Sequence, residues 1–246
     1  MGKGAAEIPR PNNRDSRLPC HAGSIAEPAS AIRTPKAGSR YIVAMPKSAH
    51  KPARSQRAKA RLISSRTVYN GPVFSVTTDH VQEPGGIKVR RDLVHHSGSV
   101  VVLAVDDSGT TPRVLLERQY RHAASDYLWE LPAGRIDPGE QELQAAKREL
   151  LEETGYTAAK WRRILKFYAS PGFVAETMSV FLATGLRAGE AQPEEDEIIY
   201  KRTVPLPTAV RMVISGTIRD AKTISSVLWL DHTSRAARAK KRRARK

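Results

Sequence analysis

Residues 134–156 read GRIDPGEQELQAAKRELLEETGY, and within them 141–154 contains neither Gly nor Pro and is bounded by Gly139 and Gly155. That composition predicts a helix with a glycine stop. Its charges constrain it further. Glu149 and Glu153 are four residues apart and so share a helical face, with Glu152 one step round, while Leu143, Ala146 and Leu150 form a second stripe expected to face a core. Three carboxylates crowded on one turn repel by roughly a few tenths of a kcal/mol per exposed pair. Arg148 can pair with one of them, and a divalent cation can neutralise the rest; hard carboxylate oxygens at a hydrated site suit Mg²⁺ or Mn²⁺. On the Glu152-Glu153 pair alone, a solvated acidic face is the simpler reading.

The chain around this helix divides by charge. Of its 246 residues, 1–66 hold 14 basic and 3 acidic side chains and 235–246 hold 8 basic and none acidic, which leaves 67–234 mildly acidic although the whole chain carries +16. The bulk positive charge that would mark a nucleic-acid binder therefore belongs to the ends. Residues 1–60 mix Pro, Ala, Ser, Lys and Arg with few large apolar side chains and are expected to be a structureless basic tail, as are 235–246. Within the first tail, Met45 offers an alternative start and Cys20 is the single cysteine, which excludes an intramolecular disulfide and fits a reducing, cytoplasmic setting. The longest clean apolar run is the six residues Val100–Val105, too short to cross a membrane.

Between the tails, short β-type runs alternate with turn signals. Leu62–Tyr69, Val73–Val81 and Ile87–His95 read as a small antiparallel sheet over 61–96. From 97 to 234, Ser99–Val105 and Arg113–Tyr120 read as a hairpin across Asp106-Asp107-Ser108-Gly109, followed by strands at Tyr127–Leu131, Trp161–Tyr168, Met178–Ala183 and Glu197–Val204. Pro205–Ser215 and Asp220–Leu230 are helical, the latter with Asp220 as N-cap. The fold class is α+β, a mixed sheet with a few packed helices.

The spacing in 134–156 goes further than the periodicity. Gly134, Glu140, Arg148-Glu149-Leu150, Glu152-Glu153, Gly155 and the apolar Tyr156 stand at every fixed position of a loop–helix–loop motif, the Nudix box. The sequence resembles the Nudix hydrolases over roughly 62–230, with Tyr156 a mild departure from a plain aliphatic. WELPAG at 129–134, SPG at 170–172 with Pro171 sixteen residues after Gly155, the acidic run 194–197 and IRDAKT at 218–223 are similar to the ADP-ribose pyrophosphatase branch, whose layout the GDP-mannose branch largely shares.

The resemblance implies an α/β/α sandwich preceded by a small sheet that pairs two subunits into a homodimer. It implies hydrolysis of a nucleoside diphosphate linked to X, ADP-ribose giving AMP and ribose 5-phosphate, with GDP-mannose or another nucleotide sugar as the alternative. Glu149, Glu152, Glu153 and the Ala133 carbonyl would hold Mg²⁺ or Mn²⁺, Arg148 would orient the glutamates through a bidentate contact, and Glu197, in a loop after the box, would be the general base. The same run also fits an ordinary solvated loop. Arg118 and Arg121, and more weakly Arg90, are the phosphate candidates, with surface charge as the competing reading; Pro171 marks the substrate class. Phe74, Tyr127 and Trp129 could stack on a purine but fit a core equally well, and His95-His96 read as strand residues rather than metal ligands. Nucleic acid enters only through the basic tails, which lack interleaved aromatics for base stacking.

Overall fold

Why Val100–Val105 is apolar without alternation becomes clear from its place: it forms most of the strand Ser99–Asp106 (β4), which is covered on both faces. Val101, Leu103 and Val105 join one core cluster and Val100, Val102 and Ala104 the other, so a single strand divides two hydrophobic layers by its period of two. In the computed structural model, which describes residues 59–191 and 199–244, every described residue falls within one unit, Pro52–Lys246. The structureless tail expected at 1–60, with Cys20 and Met45, lies almost wholly outside the described residues, as does Glu197.

Chain order gives β1 (Arg61–Asn70), β2 (Ser75–Gln82) and β3 (Lys88–His95), which form a separate antiparallel sheet, β1-β2-β3. The main sheet comprises β4, β5 (Arg113–Arg121), β6 (Asp126–Glu130), β7 (Ala133–Arg135), β8 (Tyr156–Tyr168), β9 (Thr177–Ala188) and β10 (Tyr200–Pro205). Its order is β10-β5-β4-β9-β8, with β4 and β9 parallel, β6 on β5 and β7 on β4. Helix α1 (Glu142–Thr154) packs on one face through Ala145, Ala146 and Leu150, and α2 (Leu206–Ile214) and α3 (Ala221–Arg243) contribute Leu206, Ala209, Val227 and Leu230 to the other. This is a Nudix-like α+β sandwich with a mixed sheet and a small sheet beside it.

Four details differ from the sequence reading. The β4–β5 hairpin closes over only two pairs, Val105↔Val114 and Asp106↔Arg113; beyond them the strands part, β7 takes up β4 and β6 takes up β5. Pro132, which has no N–H to donate, serves the splayed strand through its carbonyl, 2.8 Å from Val102 N. The three-residue β7 was missed because so short a run carries no period. Leu143 does not face the core: it is 37% exposed, and the inward arc of α1 instead includes Glu149 and Glu153. Last, α3 runs through Arg243 where a structureless tail was expected from 235. Residues 235–243 are all Ala, Lys or Arg, strong helix formers, and Arg235 Nε donates to Asp231 Oδ1 at 2.9 Å. Asp220 is the N-cap of α3 as expected, its Oδ2 accepting from Thr223 N at 2.9 Å.

The small sheet is fastened to the main body by Val94, whose N–H donates to Phe173 O (2.8 Å) and whose carbonyl accepts from Ala175 N (2.9 Å). Arg135 Nη1 donates to Pro72 O at 2.9 Å, bringing the β1–β2 turn up to β7.

Candidate active site

Helix α1 ends at Gly155, whose φ of +73° few side chains tolerate and whose N–H donates to Leu151 O at 2.7 Å. The last two turns of this helix lie against β7. Glu153 Oε2 accepts the Ala133 N–H at 3.1 Å, which joins the helix to the splayed strand. The Glu149 carboxylate lies over Gly134, where a Cβ would stand 1.9 Å from Oε1, so only glycine allows this approach. The inward rotation of α1 noted above has this cause: its acidic side chains are drawn toward β7 and into a cleft.

Arg148 is the hub on the solvent side. Its Nε and Nη2 donate to the two oxygens of Glu140 at 3.1 and 3.0 Å, Nη1 donates to Glu149 Oε1 (2.8 Å) and Glu152 Oε2 (3.0 Å), and Nη2 also reaches Arg135 O at 3.0 Å. The bidentate partner is thus Glu140, ahead of the helix, and the box glutamates each receive a single bond. The Arg148 guanidinium is raised above its ordinary pKa, chiefly by the bond to Glu140, and the same bond holds Glu140 below the usual carboxylate range. Residues of α1, β7 and the β1–β2 turn line a cleft of about 400 Å³, in which Glu149, Glu152, Glu153 and Arg148 face Arg121 and Val73.

Arg121 is held from behind. Its Nε and Nη2 donate to Glu130 Oε1 and Oε2, both at 3.0 Å, and Glu130 is also paired with Lys222. Burial pushes the Glu130 carboxyl up, and the two cations more than reverse this, leaving it below its ordinary value. Burial likewise opposes the charge of Arg121, but Glu130, with Glu117 and Glu153 nearby, keeps it above the ordinary arginine value.

Comparison with known proteins decides the family. The NUDIX domain model matches residues 95–225. The chain is 38% identical over 172 residues to the ADP-ribose pyrophosphatase of Bacillus subtilis (69% of this chain, 91% of that protein) and 41% identical over 170 residues to that of Mycobacterium tuberculosis (68% and 80%). The chain belongs to the Nudix family. A GDP-mannose pyrophosphatase of Salmonella paratyphi B is 34% identical over 165 residues, covering 63% of this chain and 85% of that protein. In fold the chain is similar to a crystal structure titled ADP compounds hydrolase, with a TM-score of 0.64 at 21% identity, over 73% of this chain and 96% of that one.

Nudix hydrolases generally use divalent metal ions. Among the described residues, no group of three or more His, Cys, Asp or Glu is gathered to hold one as it stands, and Arg148 Nη1 donates to both Glu149 and Glu152. The donor chemistry nonetheless fits: three carboxylates on one helical turn border a solvent-open cleft, and Gly134 leaves room for that of Glu149.

The other candidates of the Nudix chain scatter. Arg118 alternates to the opposite face of β5 from Arg121 and stacks 5.3 Å from the Tyr127 ring centroid, in a separate pocket with Tyr200. Arg90 pairs with Asp92 on the small sheet. Neither they nor Pro171, in the turn before Thr177–Ala188, line the glutamate cleft. Phe74 packs on Tyr69 and Trp129 on Tyr200. His95 Nε2 bonds Thr77 Oγ1 at 2.8 Å and His96 Nδ1 accepts from Gly98 N, both local ties. Sequence reasoning missed Glu140 as the chief partner of Arg148, and missed Glu130 and Lys222 altogether. Glu130 and Lys222 stand in WELPAG and IRDAKT, but 92 residues apart nothing in spacing could pair them.

Proposed function

We propose that this Nudix protein hydrolyses the pyrophosphate of a nucleoside diphosphate linked to X, with ADP-ribose as substrate and AMP and ribose 5-phosphate as products. The observation that carries the reading is the cleft in which Glu149, Glu152 and Glu153 face Arg121 across Gly134. Such hydrolysis asks mainly for positioning and charge neutralisation. Glu149, Glu152, Glu153 and the Ala133 carbonyl would hold Mg²⁺ or Mn²⁺, which when bound neutralises phosphate charge and lowers the pKa of water. Arg148 holds the glutamate side chains in register through Nη1 and is itself fixed by Glu140. Arg121 offers a phosphate a guanidinium already oriented by Glu130, so little side-chain entropy is lost on binding. The attacking water gives up its proton to Glu197, the base that the acidic run after the box supplies.

GDP-mannose is the second reading, favoured by the Salmonella relative; lower identity and a smaller share of this chain covered than for the two ADP-ribose pyrophosphatases rank it behind ADP-ribose. Homodimerisation through the small sheet is supported by its edge strand β1, exposed throughout and carrying Leu62 and Ile63. The expected setting is the cytoplasm; no helix among the described residues is long and apolar enough to cross a membrane.

The deciding experiment incubates the full chain with Mg²⁺ and, separately, ADP-ribose, GDP-mannose, dinucleoside polyphosphates and oxidised dNTPs, with product detection. ADP-ribose should give the highest kcat/KM; absence of turnover on every compound sinks the reading. Glu197→Gln should lower kcat by about 10²–10⁴-fold without unfolding the protein, and an unchanged kcat removes Glu197 as the base.

A further inference from the structure

We propose that Lys222 is a positioning residue for substrate: held between Glu130 and Asp220, it completes a charge-balanced quartet around the buried Glu130 that fixes the Arg121 guanidinium in the cleft to receive a phosphate. The proposal deepens the functional reading above and rests on its assignment of Arg121.

The quartet is Arg121, Glu130, Lys222 and Asp220. Glu130 is 2% exposed and receives Arg121 on both oxygens and Lys222 Nζ on Oε2. Lys222, 8% exposed, is also 3.1 Å from Asp220 Oδ1. Asp220 Oδ2 accepts from Thr223 Oγ1 (2.6 Å), and that hydroxyl in turn accepts the Leu131 N–H (2.8 Å). The N-terminus of α3 is therefore tied to two consecutive residues of the WELPAG segment, once through charge and once through a hydroxyl.

Two cations and two carboxylates cancel, which is the condition for keeping ions out of water. Of the four, only Arg121 lines the cleft, with 38% of its side chain exposed. Its contact to Glu130 uses Nε and Nη2, so Nη1 lies on the edge of the guanidinium turned away from Glu130. Removing the charge of Lys222 leaves the quartet with an excess carboxylate, in addition to Glu117 and Glu153, whose charges already act on Arg121. The guanidinium is then drawn toward protein carboxylates and away from a phosphate. The glutamates of α1 keep their own anchors, so the loss falls on substrate binding. A Lys222 that merely staples α3 would, on removal, lower stability and leave KM alone.

The test uses the full chain with Mg²⁺ and whichever nucleoside diphosphate sugar the wild type turns over, comparing Lys222→Met, Lys222→Gln, Lys222→Arg and Arg121→Ala. Lys222→Met should raise KM about tenfold, the scale of one weakened charged hydrogen bond, with kcat within about threefold of wild type. Lys222→Arg should restore most of the KM. If Lys222→Met does not fold, Lys222→Gln, which keeps a donor beside Glu130 and removes the charge, is expected to raise KM likewise, and an unchanged KM there overturns the proposal. Arg121→Ala that raises KM while Lys222→Met does not overturns it alone. Arg121→Ala without effect on KM overturns the phosphate assignment of Arg121 and the proposal with it.

Discussion

Two clusters of glutamates and cations border the same cleft, and they differ mainly in water. Around Arg148 the partners are Glu140, Glu149 and Glu152, 16%, 11% and 36% exposed, with Arg148 itself at 29%. Around Glu130 the partners are Arg121 and Lys222, and the shared carboxylate is almost wholly out of solvent. At Glu152, the most exposed partner, a broken contact is replaced by water, so that carboxylate can exchange a guanidinium for a bound cation at small cost. In the dry cluster a lost partner leaves an uncompensated charge, so the arrangement is a fixed frame. The same residue types thus make an adjustable wall and a rigid one. A site that must take up a metal and a charged substrate, then release products, has a use for each.

The largest expected effect tests the rigid wall. Glu130→Ala takes the buried partner from Lys222 and the anchor from Arg121 and should lower unfolding stability by about 3–5 kcal/mol, measured by urea denaturation. A loss under about 1 kcal/mol, the range of exposed pairs, would erase the contrast between the two clusters. The adjustable wall should respond the other way. Arg148→Lys keeps the charge but cannot make the bidentate bond to Glu140 while reaching Glu149 and Glu152, so kcat/KM should fall by about 10–100-fold, the usual cost of a lost supporting contact at a metal site. Its stability should change by less than about 1 kcal/mol. A stability loss as large as that of Glu130→Ala would show that Arg148 is structural first.

This contrast also explains which parts of the site could be read from the chain. The α1 cluster is local: Glu140, Arg148, Glu149, Glu152 and Glu153 fall within fourteen residues, and helical spacing plus the glycine stop places them together. What spacing could not supply was rotation. Leu143 looked like a core position because apolar side chains usually decide which face turns inward, yet here the Ala133 N–H and the open face of Gly134 draw Glu153 and Glu149 inward. Most strands were legible from their β-type runs and turn signals, whereas the splitting of β4 from β5 depends on WELPAG entering between them, a tertiary event without a local signature. The quartet depends on the same event. Arg118 and Arg121 looked equivalent in LERQYRHA, and only the strand's alternation, fixed by its pairing with β6, sends one into the cleft and the other onto Tyr127.

The smallest effect sharpens the comparison through pH. Glu140 is held below the ordinary glutamate pKa by its bond to Arg148, so the folded state favours its ionised form relative to the unfolded chain. The stability from this bond is fully present above the unfolded value and is lost as pH falls through the folded one. Glu140→Gln should therefore cost under about 1 kcal/mol at neutral pH, and the gap between variant and wild type should close as the solution is acidified through the carboxylate range. Added salt should narrow the gap as well, because Arg148 and Glu140 are reached by solvent. For the quartet around the buried Glu130, salt should change the cost of losing a partner little. Urea midpoints of wild type, Glu140→Gln and Glu130→Ala across pH and salt would separate the two walls: a gap for Glu140→Gln that ignores both would place Arg148 in the rigid class and dissolve the distinction.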